Sequence, residues 1–236
     1  MSYHVPLAGG GPQQLATFVA RPNRFVLEAL LPDGQMVRAH MADRGRLIET
    51  LLPGVPLCLV SRPGEKRATQ WQAAAAQRTD GSWASLDTLL PNRLMRGVLE
   101  QHLIGELPAY TLVRREVQIG ASRFDFVLEG GATPIVLEVK SAGRIVGGVG
   151  LVPDAPSSRA ARHVNELIEL HHAGRYTVLV VVAQGDAASV AIDGTIDPVL
   201  AQAVQAAQQA GVQLIGVSAT FNQNGLYFKH TIPFGS

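Results

Sequence analysis

Three charged side chains set inside two apolar runs constrain this chain more than any other feature. Residues 124–128 read Phe-Asp-Phe-Val-Leu and residues 135–140 read Ile-Val-Leu-Glu-Val-Lys, with Gly130-Gly131 between the runs. A glycine pair between two such runs predicts a hairpin. Side chains alternate across a strand, which sets Asp125 on one face with Val127, and Glu138 and Lys140 on one face with Val136. The other faces carry Phe124, Phe126 and Leu128, and Ile135, Leu137 and Val139. Carboxylates among such neighbours cost free energy unless they are paired, hydrogen-bonded or bound to a metal. A divalent cation is the simplest partner for two acids, because one or two carboxylates with retained waters and phosphates are what Mg²⁺ prefers. Lys140 points the same way as Glu138 and suits the orientation of a water or the stabilisation of charge on phosphate. The alternative is a Glu138 ion pair with Arg115 or Arg123, with Lys140 leaving the sheet end for solvent.

With 236 residues, 47% of them hydrophobic, the chain has material for one large domain or two small ones, and two are expected. The net charge is only +1, so any binding of nucleic acid must rest on a local basic patch. Only three of the 20 cationic side chains are lysines, Lys66, Lys140 and Lys229, which singles out the choice at 140. Lysine is a compact point charge and arginine a planar fork, so the two are not interchangeable at a reactive centre. Cys58 has no internal disulfide partner and reads as a buried free thiol in a reducing compartment. No stretch combines a basic region with a long apolar core, and no apolar run approaches the ~20 residues of a membrane span. A soluble, cytoplasmic protein without a membrane partner is the expectation.

Residues 15–20, 24–30, 35–40, 55–61 and 68–78 read as strands, with Pro32-Asp33-Gly34 turning one hairpin. A short helical pattern falls at 46–52, and Ala73 to Ala76 suits helix or strand. Five short strands with one inserted helix suggest a small OB-like Greek-key barrel over residues 1–88. From 89 to 236 the order is helix, three strands, helix, strand, helix, strand, a mixed-sheet α/β domain. Leu94, Met95, Val98, Leu99 and Leu103 mark its first helix, while Ser157 and Asp197 stand as N-caps of the other two. Residues 176–183 are almost wholly apolar, as in a central strand covered on both faces, and Asn224-Gly225 turns a last hairpin. The glycine-rich run 143–150 lacks the setting of a dinucleotide loop and reads as a mobile connection.

An acid on one strand and E-x-K on the next, between helices, resembles the PD-(D/E)XK nuclease core. Six blocks carry a broader resemblance. Arg21-Pro22-Asn23-Arg24-Phe25, Gly45-Arg46-Leu47, Leu90-Pro91-Asn92-Arg93-Leu94, Ser122-Arg123-Phe124-Asp125-Phe126, Glu138-Val139-Lys140-Ser141 and Pro153-Asp154-Ala155-Pro156 resemble the sugar fermentation stimulation protein A family across nearly the whole chain. The resemblance implies an N-terminal OB-fold domain, a PD-(D/E)XK nuclease-like domain and DNA binding, with Mg²⁺ or Mn²⁺ held in the second domain. Family metal-site roles would fall on Asp125, Glu138 and Lys140. Met41-Ala42-Asp43-Arg44 departs from the Pro-Asn-Thr-like turn of many relatives.

Further candidates surround that core. Glu116, on the strand expected beside Asp125, is a third candidate metal ligand or else an ion-pair partner of Arg114 or Arg123. Glu100 lies opposite the apolar stripe of its helix and reads as solvated. Arg159 and His163 stand one turn apart near a helix N-terminus, where phosphate is favoured, or else on a solvated face. In the first domain Arg24, Arg44, Arg46, Lys66 and Arg67 recur at turns and strand ends, where they could track a phosphate backbone. Trp71 and Trp83 suit stacking on bases or packing in the core. No G-x-S-x-G elbow or zinc spacing occurs. The sequence thus supports a DNA-binding protein with a Mg²⁺-dependent nuclease site, or a non-catalytic DNA-binding regulator of sugar metabolism genes; no sugar-site signature accompanies either.

Overall fold

The computed structural model describes residues 3–43, 47, 50–64, 68–78 and 81–235. They form two units, the first comprising His4–Leu90 with Phe221–Tyr227, the second Pro91–Thr220 with Tyr3 and residues 228–235.

The first unit contains β1 (His4–Pro6), β2 (Gln13–Asn23), β3 (Val26–Leu30), β4 (Met36–Met41), β5 (Pro56–Ser61), β6 (Trp71–Gln77) and β7 (Trp83–Ser85). The strands run β4-β3-β2-β5-β6-β7, and a further parallel pairing of β4 with β6 closes five of them into an OB-like barrel. Closure removes the exposed sheet edges that a short meander would leave. Phe18, Leu27, Met41, Leu57 and Leu59 fill the interior. Gly34 makes the turn of the β3–β4 hairpin at φ 88°, and Asp33 Oδ1 accepts the Gln35 N–H at 2.9 Å. Ala73 to Ala76 are strand and wholly buried. Their pairing with β4 and β5 overrides the helix preference of alanine, and their small side chains suit a crowded barrel interior. Of the helical pattern expected over 46–52, residues 46, 48 and 49 lie outside the described residues, and among the rest the Leu47 carbonyl accepts the N–H of Thr50 at 3.0 Å and of Leu51 at 2.8 Å, as in a turn. Cys58 is a buried free thiol, and its burial pushes the pKa up to about 11.

The second unit follows with α1 (Leu90–Glu100), β8 (Leu112–Ile119), β9 (Ser122–Glu129), β10 (Ile135–Ala142), β11 (Arg144–Val146), β12 (Val149–Val152), α2 (Ser158–His172), β13 (Tyr176–Gln184), β14 (Ser189–Ile192), α3 (Pro198–Ala210), β15 (Gln213–Asn222) and β16 (Gly225–Ile232). Its large sheet runs β16-β15-β13-β10-β9-β8, parallel through β15, β13 and β10 and antiparallel from β10 to β8. Central β13 is buried from Thr177 to Ala183, as its unbroken apolar run requires. Val164 and Leu167 of α2 and Leu200, Val204 and Ala207 of α3 join one core with Val127, Val136, Leu179 and Val181 of the sheet. The two helices start from a shared device. Ser157 Oγ accepts the Ala160 N–H at 3.2 Å, while Asp197 accepts the N–H of Leu200 at 2.9 Å and that of Ser157 at 2.8 Å. Among the described residues no helix is long and apolar enough to cross a membrane.

The glycine-rich run is a hairpin rather than a mobile connection. Gly147 and Gly148 take φ of 56° and 80° between β11 and β12, as two-residue hairpin turns require, and β12 pairs in parallel with β14.

The turn that joins β9 to β10 sets the register of the acids, and it has no room for a side chain. A Cβ at Gly131 would stand 2.0 Å from the Ala109 carbonyl oxygen, a backbone atom that cannot rotate away. Gly131→Ala is therefore expected to destabilise the protein by about 1–3 kcal/mol, read from the midpoint of urea unfolding.

Candidate functional site

β9 and β10 pair Val127 with Val136 and Phe126 with Leu137, and the ladder stops there. The next position is taken over by a side chain: Asp125 Oδ2 accepts the Val139 N–H at 2.8 Å. Asn92, in the first turn of α1, donates its amide to Asp125 Oδ1 at 2.6 Å. Burial, followed by the charge of Glu138, pushes Asp125 up to about 6, against the opposing pull of the Val139 N–H, Lys140 and Asn92.

Glu138 follows Leu137, the last paired residue, so the register carried on by one position sets it opposite Asp125, and it is more deeply enclosed, with 4% of its surface exposed. Its Oε1 receives two donors, Lys140 Nζ at 2.6 Å and His163 Nδ1 at 2.7 Å. Oε2 is buried and has no hydrogen-bond partner among the described residues. Lys140, also on this face, is mostly enclosed. His163 projects from α2 with 3% exposure, and the Phe124 ring lies 5.9 Å from its own. On its far side Arg159 Nε donates to His163 Nε2 at 3.4 Å.

Asp125, Glu138 and Lys140 thus meet, as alternation along the two strands predicts. Lys140 does not leave for solvent, and neither Arg115 nor Arg123 is the partner of Glu138. Glu116 stands apart. It takes φ 52° between the Arg115–Phe126 and Val117–Phe124 pairs and makes an exposed ion pair with Arg123 at 3.0 Å. Glu100 is likewise exposed and pairs with Arg96 at 2.8 Å. Arg159 is exposed in the first turn of α2. His163, expected beside it on an open face, is instead buried, because α2 turns the stripe Ala160, His163, Val164 and Leu167 toward the sheet. That burial removes it from direct contact with phosphate.

Arg24 is exposed in the turn between β2 and β3, while Arg44, Arg46, Lys66 and Arg67 lie outside the described residues. Trp71 packs against the barrel core, and Trp83 is half-buried. Two participants escaped the sequence reading as members of the site. Asn92 lay in the Leu-Pro-Asn-Arg-Leu block without a role, and the Glu138–His163 contact spans 25 residues. Among the described residues no group of three or more His, Cys, Asp and Glu side chains is arranged to hold a metal.

Comparison with known proteins covers both units. Residues 19–86 match the family model described as the SfsA N-terminal OB domain, and residues 89–225 match the sugar fermentation stimulation protein RE domain. A sugar fermentation stimulation protein homolog of Chloroflexus aurantiacus is 39% identical over 230 residues, which cover 97% of this chain and 88% of that protein. Another, from Moorella thermoacetica, is 39% identical over 203 residues, 84% of this chain and 86% of its own. The structure of Pyrococcus furiosus SfsA in complex with Ca²⁺ is similar with a TM-score of 0.85 at 26% identity, covering 98% of this chain and all of that one.

The raised Asp125 carboxyl has a measurable signature in protein freed of divalent ions. A carboxyl that titrates near 6 when folded and near 3.8 when unfolded adds stability that is complete below pH ~4 and is lost as pH rises through 6. Wild type should therefore lose up to about 3 kcal/mol between pH 4 and 7 relative to Asp125→Asn, as urea melts across that range would show.

Proposed function

This chain belongs to the sugar fermentation stimulation protein family, and from that premise we propose that it is a DNA-binding protein with a divalent-cation-dependent phosphodiesterase site of the PD-(D/E)XK type. One observation carries the reading: Glu138 Oε2 is a buried carboxylate oxygen without a hydrogen-bond partner among the described residues, at the strand position opposite a second carboxylate, Asp125. Such an atom is costly unless something binds it. An all-oxygen donor pair suits a hard cation, and with only two acids the remaining positions would go to water and phosphate, as Mg²⁺ prefers. Mn²⁺ is the natural substitute. The related Pyrococcus furiosus protein was solved with Ca²⁺, another oxygen-seeking cation, which supports this choice.

Asp125 and Glu138 would hold the cation, which when bound supplies Lewis-acid activation of water and neutralisation of phosphate charge. The rest falls to the chain itself. Lys140 keeps its ammonium against Glu138 Oε1 at 2.6 Å, where its other N–H bonds orient a water or a phosphate oxygen. Asn92 and the Val139 N–H fix the Asp125 carboxylate, so its oxygens are set before substrate arrives. Glu116, in its exposed pair with Arg123, is a poorer third ligand than water.

An OB barrel in the first unit supports binding of nucleic acid. With a net charge of +1, that binding would depend on local cations, for which we propose Arg24, Arg44, Arg46, Lys66, Arg67 and Arg159. One observation favours a second reading, a non-catalytic DNA-binding regulator: both Asp125 oxygens already accept hydrogen bonds within the chain.

The two readings separate in one experiment on double- and single-stranded DNA and on RNA, with Mg²⁺, with Mn²⁺ and with chelator. Cleavage should require the cation and fall at least ~100-fold in both Asp125→Asn and Lys140→Ala. Equal cleavage in all three proteins would sink the site assignment. Salt-sensitive binding without turnover, indifferent to chelator, would favour the regulator.

A further inference from the structure

Glu138 accepts two hydrogen bonds at one oxygen and, among the described residues, none at the other. Resting on the reading of Asp125 and Glu138 as a cation site, we propose that His163 is a positioning residue that pins Glu138 through Oε1, so that Oε2 is the oxygen left for the cation.

Donor and acceptor chemistry decides the state of the ring. Arg159 Nε donates to His163 Nε2, and a guanidinium has no acceptor, so Nε2 must present a lone pair. The ring proton therefore sits on Nδ1, and Nδ1–H donates to Glu138 Oε1 at 2.7 Å. Packing holds this arrangement in place, with the imidazole 3% exposed, tilted against Phe124 and carried on the buried stripe of α2. Lys140 adds a second donor to the same oxygen.

The consequence concerns the order of events at the site. A carboxylate free to rotate about its last bond offers either oxygen and loses that freedom when a cation binds. Two donors on Oε1 remove the freedom beforehand and keep Oε2 unshared. Outer partners of this kind orient ligands in metal sites generally. Arg159 is the outermost member, exposed to solvent, and its contact with Nε2 holds the tautomer from the far side.

The test uses the whole chain, stripped of divalent ions and titrated with Mn²⁺ alone by calorimetry. His163→Phe keeps a ring beside Phe124 and removes the donor, and it should weaken Mn²⁺ binding on the order of 10–100-fold. His163→Asn places an amide N–H near the Nδ1 position and should recover most of that loss. In metal-free wild type, the ring nitrogen shifts of labelled His163 should report the Nδ1–H tautomer. An Nε2–H tautomer overturns the proposal, and so does equal Mn²⁺ affinity in wild type, His163→Phe and His163→Asn, with the cation site left standing. A wild type that takes up no Mn²⁺ overturns the cation reading itself, and this proposal with it. Should His163→Phe not fold, as circular dichroism melts would reveal, the Asn variant and the wild-type tautomer decide.

Discussion

The charge on Glu138 is the constraint around which the second unit is arranged. It sits on β10, between β9 and β13, on a strand whose other residues from Ile135 to Val139 are all buried and apolar. A carboxylate there without donors would be an uncompensated buried charge, worth about 3–5 kcal/mol against the fold. Lys140 supplies one donor from the same strand, but the second must come from elsewhere, and α2 brings it. The rotation of α2 is thereby tied to the sheet: the turn that buries Val164 and Leu167 against it also carries His163 to Glu138 Oε1. Asp197 reinforces the start of that helix by accepting the Ser157 N–H while it caps α3. Polar contacts and apolar packing thus specify one docking of the helices.

Asp125 meets the same demand in a different way. It keeps some exposure and takes its donors from backbone and amide, the Val139 N–H and Asn92, rather than from a cation. Neutral donors stabilise a carboxylate less than charged ones do, and burial first, then the charge of Glu138, outweighs them and leaves Asp125 at about 6. Two acids at opposed positions on neighbouring strands thereby have opposite solutions, one matched by an ammonium and the other poised near neutrality. On the proposed reading this division matters, because cation binding and proton release at Asp125 would be linked. Glu116 does not crowd the pair. Its positive φ accompanies a side chain held on the exposed surface with Arg123.

Local signals in the sequence proved legible, and contacts between distant elements did not. Ser157 and Asp197 cap their helices as their residue types predict, since an N-cap bond reaches only three residues along the chain. The hairpin that unites Asp125 with Glu138 follows from alternation about Gly130-Gly131, a rule with a range of a few residues. One failure and one ambiguity share a cause. His163 looked like half of an exposed Arg–His pair, because helical periodicity places it on a face without saying what that face meets. Ala73 to Ala76 were ambiguous for the same reason, as only pairing with β4 and β5 makes them strand. The run 143–150 failed differently: glycine-rich composition reads as looseness, yet Gly147 and Gly148 provide the positive φ of a tight turn. Asn92 was visible as part of a block, but its role exists only where α1 reaches β9.

The choice of lysine at position 140 is explained by what an arginine would do there. A guanidinium is a planar fork that engages a carboxylate at both oxygens, whereas an ammonium is a point donor that can engage one. At position 140 the ammonium takes Glu138 Oε1 alone, the same atom that His163 approaches. An arginine at that place on the strand would compete for Oε2 as well, and an oxygen that is buried and without a partner among the described residues would be taken up. The fork would give a better-satisfied ion pair and a more conventional piece of structure. Instead the strand carries one of only three lysines in a chain with 20 cationic residues, and the free oxygen survives. A structural ion pair has no need of such an atom, because leaving a buried acceptor unmade costs about 1–3 kcal/mol. On the proposed reading, the combination of a monodentate ammonium, a buried imidazole on the same oxygen and an unmatched second oxygen has its explanation in a ligand for Oε2.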